Sequence, residues 1–100
     1  MNLADLKTEV NFASKRFEIS IGSQKAFVDF LKNTQGQIFL THTEVPKEFE
    51  GKGIASKLAK DALEWIDKNN LKLFPLCPYI VAYIKRNPEY KRLLAAGANV

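Results

Sequence analysis

The chain has few of the residues and runs that mark special classes of protein. Its single cysteine excludes an internal disulfide, so nothing indicates an oxidising compartment. No apolar run approaches the ~20 residues that a membrane-spanning helix needs. The first ten residues, MNLADLKTEV, carry Asp5 and lack a continuous apolar run, so we expect no signal peptide. These absences predict a soluble, cytoplasmic protein that does not bind membranes.

Clustered charge of one sign is also missing. The formal net charge is +4, but no run of five or more like charges occurs and the basic residues are spread along the chain. A positive balance suits an anionic partner such as a nucleotide cofactor, a nucleic acid or an acidic protein. A nucleic-acid binder would place aromatic residues among basic ones on an exposed face. Most aromatic residues here fall on strand positions that should pack inward, so we do not expect nucleic-acid binding.

Repeats, low-complexity segments and linkers are absent, and residues 1–100 are predicted to form one domain. Alternation of apolar and polar residues predicts strands at residues 9–13 and 16–21, and further strands follow at 25–32 and 37–45. Short turns between them indicate an antiparallel meander. By the same alternation, His42 should share a sheet face with Leu40 and Glu44.

The second half of the sequence changes to a helical period. From Gly53 to Lys68 the apolar residues fall within an arc of about 180° on a helical wheel, and charged residues fill the opposite arc. A short strand follows at residues 71–76, and it should lie parallel to the fourth strand because the helix makes a crossover connection. A helix should begin at Pro78 and reach Arg86, and a second should run from Glu89 towards Gly97. The fold class is α+β.

The long helix lacks a residue that could cap its start. The sequence before it is Glu-Gly-Lys-Gly, residues 50–53, with no Ser, Thr, Asp or Asn directly before the helix. The first N–H groups of a helix need partners, and they favour an anion. Two glycines allow close approach to the backbone, and lysines lie nearby. We predict that phosphate groups of a ligand occupy this position, although neither the P-loop nor the six-residue dinucleotide fingerprint is present.

Four segments of the sequence resemble one family. Residues 50–55, EGKGIA, resemble the acetyl-CoA motif Gln/Arg-x-x-Gly-x-Gly/Ala of the GNAT superfamily of acyltransferases. Residues 42–46, HTEVP, residues 75–79, PLCPY, and the later AYIKRNPEY, residues 82–90, resemble the short single-domain GNAT-like N-acetyltransferases. The resemblance covers about residues 17–90. One departure is the first position of the motif, which is Glu50 instead of Gln or Arg.

The resemblance implies a minimal GNAT fold with acetyl-CoA (coenzyme A) as cofactor. In that family the fourth and fifth strands splay apart and the pantetheine arm lies between them. Backbone groups of three residues would then pair with the pantetheine amides: Thr43, Glu44 and Val45. The N–H groups of the loop and first helical turn would hold the pyrophosphate: Gly51, Lys52, Gly53, Ile54 and Ala55.

Acetyl transfer to an amine needs a positioned thioester, a deprotonated amine and a stabilised leaving thiolate. Cys77 lies at the predicted start of a helix, where a thiol pKa can fall, so it could accept the acetyl group or protonate the CoA thiolate; a small buried residue is the other interpretation. His42, the single histidine, and Glu44 could each act as a base, or be ordinary strand residues. Tyr83 or Tyr79 could protonate the thiolate, or simply pack. Neither pattern nor resemblance indicates a metal site.

We therefore expect an N-acetyltransferase that moves an acetyl group from acetyl-CoA to an amine acceptor, which is either a protein or a small molecule. The alternative is a module that binds CoA or acetyl-CoA with little or no turnover. The chain is expected to be a monomer or a homodimer, because an exposed first strand could pair with a second copy.

Overall fold

The computed structural model describes residues 2–100. A short 3-10 turn, Leu3–Asp5, precedes four strands: β1 (Thr8–Asn11), β2 (Arg16–Ile21), β3 (Gln24–Lys32) and β4 (Gln37–Glu44). A second 3-10 turn, Lys47–Phe49, leads into helix α1 (Ile54–Lys68), strand β5 (Lys72–Pro75), helix α2 (Pro78–Arg86) and a 3-10 helix, Pro88–Leu93. The predicted order of strands and long helices is thus confirmed, with ends that move by one or two residues.

The five strands form one mixed sheet in the order β1-β2-β3-β4-β5. The first four pair as an antiparallel meander, and β5 pairs parallel to β4 from Gln37↔Lys72 to Leu40↔Pro75. A parallel neighbour after an intervening helix is the arrangement that the crossover rule predicts.

The core lies between one face of the sheet and the two helices. Strand residues that face the helices are fully buried, including Phe17 and Val28, which stand opposite each other on β2 and β3. They pack in one cluster with the apolar side of α1, where Leu58 and Ile66 have no exposed surface, and with Ile84 of α2. No helix within residues 2–100 is both long and apolar enough to cross a bilayer.

The end of the chain differs from the predicted second C-terminal helix. Residues 88–93 form a 3-10 helix, with hydrogen bonds from Tyr90 N to Asn87 O (3.1 Å) and from Leu94 N to Lys91 O (3.1 Å). The chain then leaves the helix, and Ala95 N donates to Leu73 O of β5 at 2.9 Å. Backbone pairing with the sheet edge replaces the helical bonds that a continued helix would have made, and tertiary context overrides the helical propensity.

Candidate functional site

β4 and β5 separate where β5 ends. Their pairing stops at Leu40↔Pro75, and the Leu40 carbonyl then accepts two N–H groups, from Leu76 (2.9 Å) and Cys77 (3.0 Å). β4 continues to Glu44 and stays paired with β3 on its other side. Within residues 2–100, the edge of 41–44 that faces away from β3 therefore has no strand partner. Unpaired strand edges can take hydrogen bonds from a ligand.

The start of α1 is uncapped and opens on the same region. Gly53 is the N-cap residue with φ 83°, and no side chain caps the helix. The first helical bond joins Lys57 N to the Gly53 carbonyl at 3.0 Å. Within residues 2–100, the N–H groups of Ile54, Ala55 and Ser56 donate to no acceptor. Such groups, together with the helix dipole, favour an anion.

A cavity of about 380 Å³ joins the strand edge to the helix start. It is the size of a small ligand site and its surface is mostly apolar. Its walls come from the end of β4, the loop before α1, the first turn of α1 and the first turn of α2; they are Thr43, Val45, Phe49, Glu50, Gly51, Gly53, Ile54, Ala55, Ser56 and Tyr79. We call this space the cofactor cleft, after the cofactor that the family resemblance predicts.

The residues predicted to bind the cofactor are thus brought together, apart from two. Glu44 and Lys52 do not line the cleft, and both are exposed. Glu50, the departure from the family motif, does line it and is exposed to solvent. An exposed carboxylate at this position is screened by water, so it weakens an anion site less than a buried one would.

Cys77 lies between the end of β5 and the start of α2, and it is not one of the residues that line the cofactor cleft. It is the N-cap of α2 and is 4% exposed. Its Sγ lies 3.2 Å from Oγ1 of Thr43, which is a cleft residue. The Cys77 carbonyl accepts from Val81 N at 3.1 Å, while its side chain does not cap the helix. The thiol therefore sits between the strand edge and a helix N-terminus.

His42 lies on the opposite face of the sheet, and the prediction that it shares a face with Leu40 is wrong. Asp29 pairs with His42 and Phe30 with Leu40, so Thr41 is an extra residue and forms a bulge in β4. A bulge reverses the alternation beyond it. Leu40 is fully buried, whereas the His42 side chain is 58% exposed, with Nε2 3.6 Å from Oε1 of Glu44. His42 and Glu44 do share a face.

Of the two candidate tyrosines, only Tyr79 lines the cofactor cleft. Tyr83 is 7% exposed and lies one turn later on α2, where it lines a neighbouring cavity. Burial raises the pKa of Tyr83 above its ordinary value, and the charges of Tyr79 and Glu64 act in the same direction. The structure thus brings Thr43 and Tyr79 to the cleft. Cys77 contacts Thr43 without lining the cleft, and Tyr83 lines the neighbouring cavity.

Two cleft residues were missed by the sequence reasoning. Phe49 ends the 3-10 turn before the glycines, and Ser56 follows the motif in the first turn of α1. The position of Ser56 could have been inferred, since residues at N1 to N3 of a helix surround the same anion site. Nothing in the pattern around Phe49 indicated that the loop would turn its ring towards the cleft.

Comparisons with known proteins identify relatives of this chain. A family model described as GCN5-related N-acetyl-transferase matches residues 16–93. Protein NATD1 of Danio rerio is 35% identical over 95 residues, which cover 89% of this chain and 86% of that protein. The NATD1 proteins of Xenopus tropicalis and Homo sapiens are 49% identical over 49 residues, 49% of this chain; these matches span 45% and 43% of the two relatives, less than half of their length.

A solved structure has the same fold. The solution NMR structure of a GCN5-like protein from Staphylococcus aureus aligns with a TM-score of 0.68, covering 95% of this chain and 91% of that one at 23% identity. At this identity the likeness concerns the fold alone. The five-stranded sheet with a parallel last pair, the central helix and the C-terminal helices are therefore shared with a GCN5-like protein.

Proposed function

The chain belongs to the GCN5-related N-acetyltransferase family, and from this premise we propose that it transfers an acetyl group from acetyl-CoA to an amine. The observation that carries the proposal is the uncapped start of α1, which opens on the cofactor cleft. Free N–H groups of a helix start, preceded by two glycines with positive φ, suit a diphosphate.

The strand edge supports binding of the pantetheine arm. Amide groups of an extended ligand can pair with the free backbone of residues 43–45 as a further strand would, in the way that peptides extend a sheet. The apolar part of the cleft, including Val45, Phe49 and Ile54, would cover the hydrocarbon segments of the arm. This orientation runs from the diphosphate at Gly51 and Gly53 towards Thr43 and Cys77.

We assign Cys77 to the acyl end of such a ligand, because its Sγ lies 3.2 Å from Oγ1 of the cleft residue Thr43. As a nucleophile, its thiolate would attack the thioester carbonyl, the bond to the CoA sulfur would break, and the CoA thiolate would take up a proton. The acceptor amine, once deprotonated, would then attack the S-acetyl group and release the Cys77 thiolate. In a direct transfer, the Cys77 thiol or the Tyr79 hydroxyl would donate the proton to the leaving thiolate.

His42 and Glu44 suit a different task from Cys77, because they lie on the open face of the sheet. The His42 imidazole, 58% exposed and 3.6 Å from the Glu44 carboxylate, could take a proton from an amine that arrives from solvent on that face. The acceptor is either a protein amine or a small molecule.

A CoA-binding module with little turnover is the second candidate. Glu50 favours this second candidate, because a carboxylate at the cleft repels a diphosphate and would weaken binding of the cofactor. The two candidates share the cofactor site and differ only in whether an amine is acetylated.

A pair of measurements tests the proposal. CoA at 100 times its Kd should stabilise the protein by about 2.7 kcal/mol, which raises the Tm of a domain of this size by roughly 10–20 °C. Labelled acetyl-CoA should then transfer its label to an amine acceptor. No shift in Tm at millimolar CoA would refute both candidates, while a shift without transfer to a broad panel of amines would favour the binding module.

The same labelled acetyl-CoA tests whether Cys77 accepts the acetyl group. Covalent label on the wild-type chain that disappears in Cys77→Ala identifies an acyl-cysteine. Label that persists in Cys77→Ala excludes Cys77 as acceptor, and Cys77→Ser serves as the variant of similar size.

A further inference from the structure

A second cavity, of about 420 Å³, lies beside the cofactor cleft and shares Gly53 and Ser56 with it. The turn Leu3–Asp5 contributes one wall: Leu3 and Ala4 line the cavity, and Leu3 Cδ1 lies 3.0 Å from the position that a Cβ on Gly53 would occupy. The opposite wall is the side of α1. A ligand held at Gly53 can therefore extend into either space.

The α1 wall of this cavity carries two lysines in line with Gly53. Lys57 and Lys60 follow Gly53 by four and seven residues, the spacing at which residues share one side of a helix. At 1.5 Å per residue they lie about 6 Å and about 10 Å along the helix axis from the phosphate loop. A basic stripe thus leads away from the proposed diphosphate position.

Lys60 is the member of this stripe that can accept a new anion. Asp61, the one acidic residue of the lining, already binds the Thr8 hydroxyl at 2.7 Å and Lys57 Nζ at 3.2 Å. Lys60 is exposed, and it forms no salt bridge with any residue between 2 and 100. The Lys57–Asp61 pair therefore balances itself, and the charge of Lys60 remains available.

We propose that the second cavity binds the 3′-phosphorylated nucleoside end of coenzyme A, and that Lys60 distinguishes it from ligands without the 3′-phosphate. This inference rests on the proposed use of acetyl-CoA. A terminal phosphate carries nearly two negative charges at neutral pH, so an ammonium group close to it forms a charge-assisted contact. Two basic residues of α2, Lys85 and Arg86, are not candidates for this contact, because they line neither this cavity nor the cofactor cleft.

Dephospho-CoA, which lacks only the 3′-phosphate, provides the test. The Kd of CoA and of dephospho-CoA is measured by calorimetry for the wild type, for Lys60→Ala, and for two controls, Lys68→Ala at the far end of α1 and Lys85→Ala on α2. We expect the wild type and both controls to bind CoA about threefold to tenfold more tightly than dephospho-CoA at low salt. In Lys60→Ala the ratio should fall close to one, through weaker binding of CoA and unchanged binding of dephospho-CoA.

Other outcomes overturn the inference in distinguishable ways. Equal Kd values for the two ligands in the wild type, or an unchanged ratio in Lys60→Ala, would refute the role of Lys60 and leave the proposed function standing. A ratio that collapses in Lys85→Ala would place the 3′-phosphate on α2 instead. Binding of neither ligand would refute the proposed function together with this inference. Because an exposed contact is screened by salt, the wild-type ratio should also shrink as ionic strength rises.

Discussion

Replacing Gly53 with alanine tests the start of α1 on both stability and binding. Gly53 has φ 83°, a left-handed conformation, and a Cβ there would come within 3.0 Å of Leu3 Cδ1. The left-handed region costs a residue with a Cβ about 1–2 kcal/mol. Alanine also restricts the unfolded chain, which stabilises a protein by about 0.4–1 kcal/mol where the native conformation suits alanine. The left-handed conformation of Gly53 does not suit alanine, so we expect no such gain here. Since the end of the Leu3 side chain can shift, the contact adds little.

The net loss in unfolding free energy should be about 1–2 kcal/mol. For a domain of 60–100 residues, each kcal/mol lowers the Tm by about 4–8 °C. The assay is thermal and urea unfolding of Gly53→Ala beside the wild type, followed by calorimetric titration with CoA. Gly53 lines the cleft, so an added methyl group there should hinder CoA. The Kd for CoA should rise by roughly tenfold, which corresponds to about 1.4 kcal/mol.

Gly36→Ala is the matched control. Gly36 has φ 75°, nothing lies within 4 Å of its Cβ position, and it lies in the turn between β3 and β4, outside the cleft. It should lose similar stability from backbone strain and keep the wild-type Kd for CoA. Two results would refute this account of the start of α1. One is a Gly53→Ala variant that unfolds like the wild type, and the other is an equal loss of CoA binding in both variants.

Three further predictions concern the core, the pH dependence and the cleft. Leu58→Ala, at a fully buried site of α1, should lower the unfolding free energy by about 2–5 kcal/mol in urea unfolding, and a loss below about 1 kcal/mol would contradict the packing described. Burial, with a bond to Glu64 Oε2 at 3.2 Å, raises the pKa of Tyr90 to about 12; because an unfolded tyrosine ionises near pH 10, this stabilisation is intact below pH 10 and is lost as pH rises towards 12. The wild type should therefore lose stability relative to Tyr90→Phe over that range, by at most ~1.4 kcal/mol per pH unit, and parallel pH curves would refute it. Tyr79→Phe should lower kcat for acetyl transfer more than Tyr83→Phe, which lies outside the cleft, and the reverse order would favour Tyr83 as the acid.

The sequence predicts those parts of the fold that repeat with a period. α1 was recognised because its apolar residues follow the helical period and are those that the structure buries, such as Leu58 and Ile66. The separation of β4 and β5, where we propose that the cofactor binds, could be predicted only from the family resemblance. No local signal marks Leu40 as the last residue of β4 that pairs with β5.

The errors arise where a single residue or a distant contact decides the structure. The bulge at Thr41 moved His42 away from the face of Leu40, and alternation alone cannot reveal one extra residue. The chain after Leu93 leaves its helix because Ala95 bonds to β5, a contact between segments more than twenty residues apart. Leu3 likewise lies close to Gly53, fifty positions away in the sequence, and the three residues of its 3-10 turn carry no periodic signal.

We have proposed that the amide groups at the start of α1 bind the diphosphate of acetyl-CoA. An NMR titration of the isotope-labelled protein with CoA follows these amides directly. We predict the largest shifts at the N–H groups of residues 51–56, with a second set at residues 43–45. Saturable shifts that leave residues 51–56 unchanged would contradict the claim, as would a spectrum that stays the same at millimolar CoA.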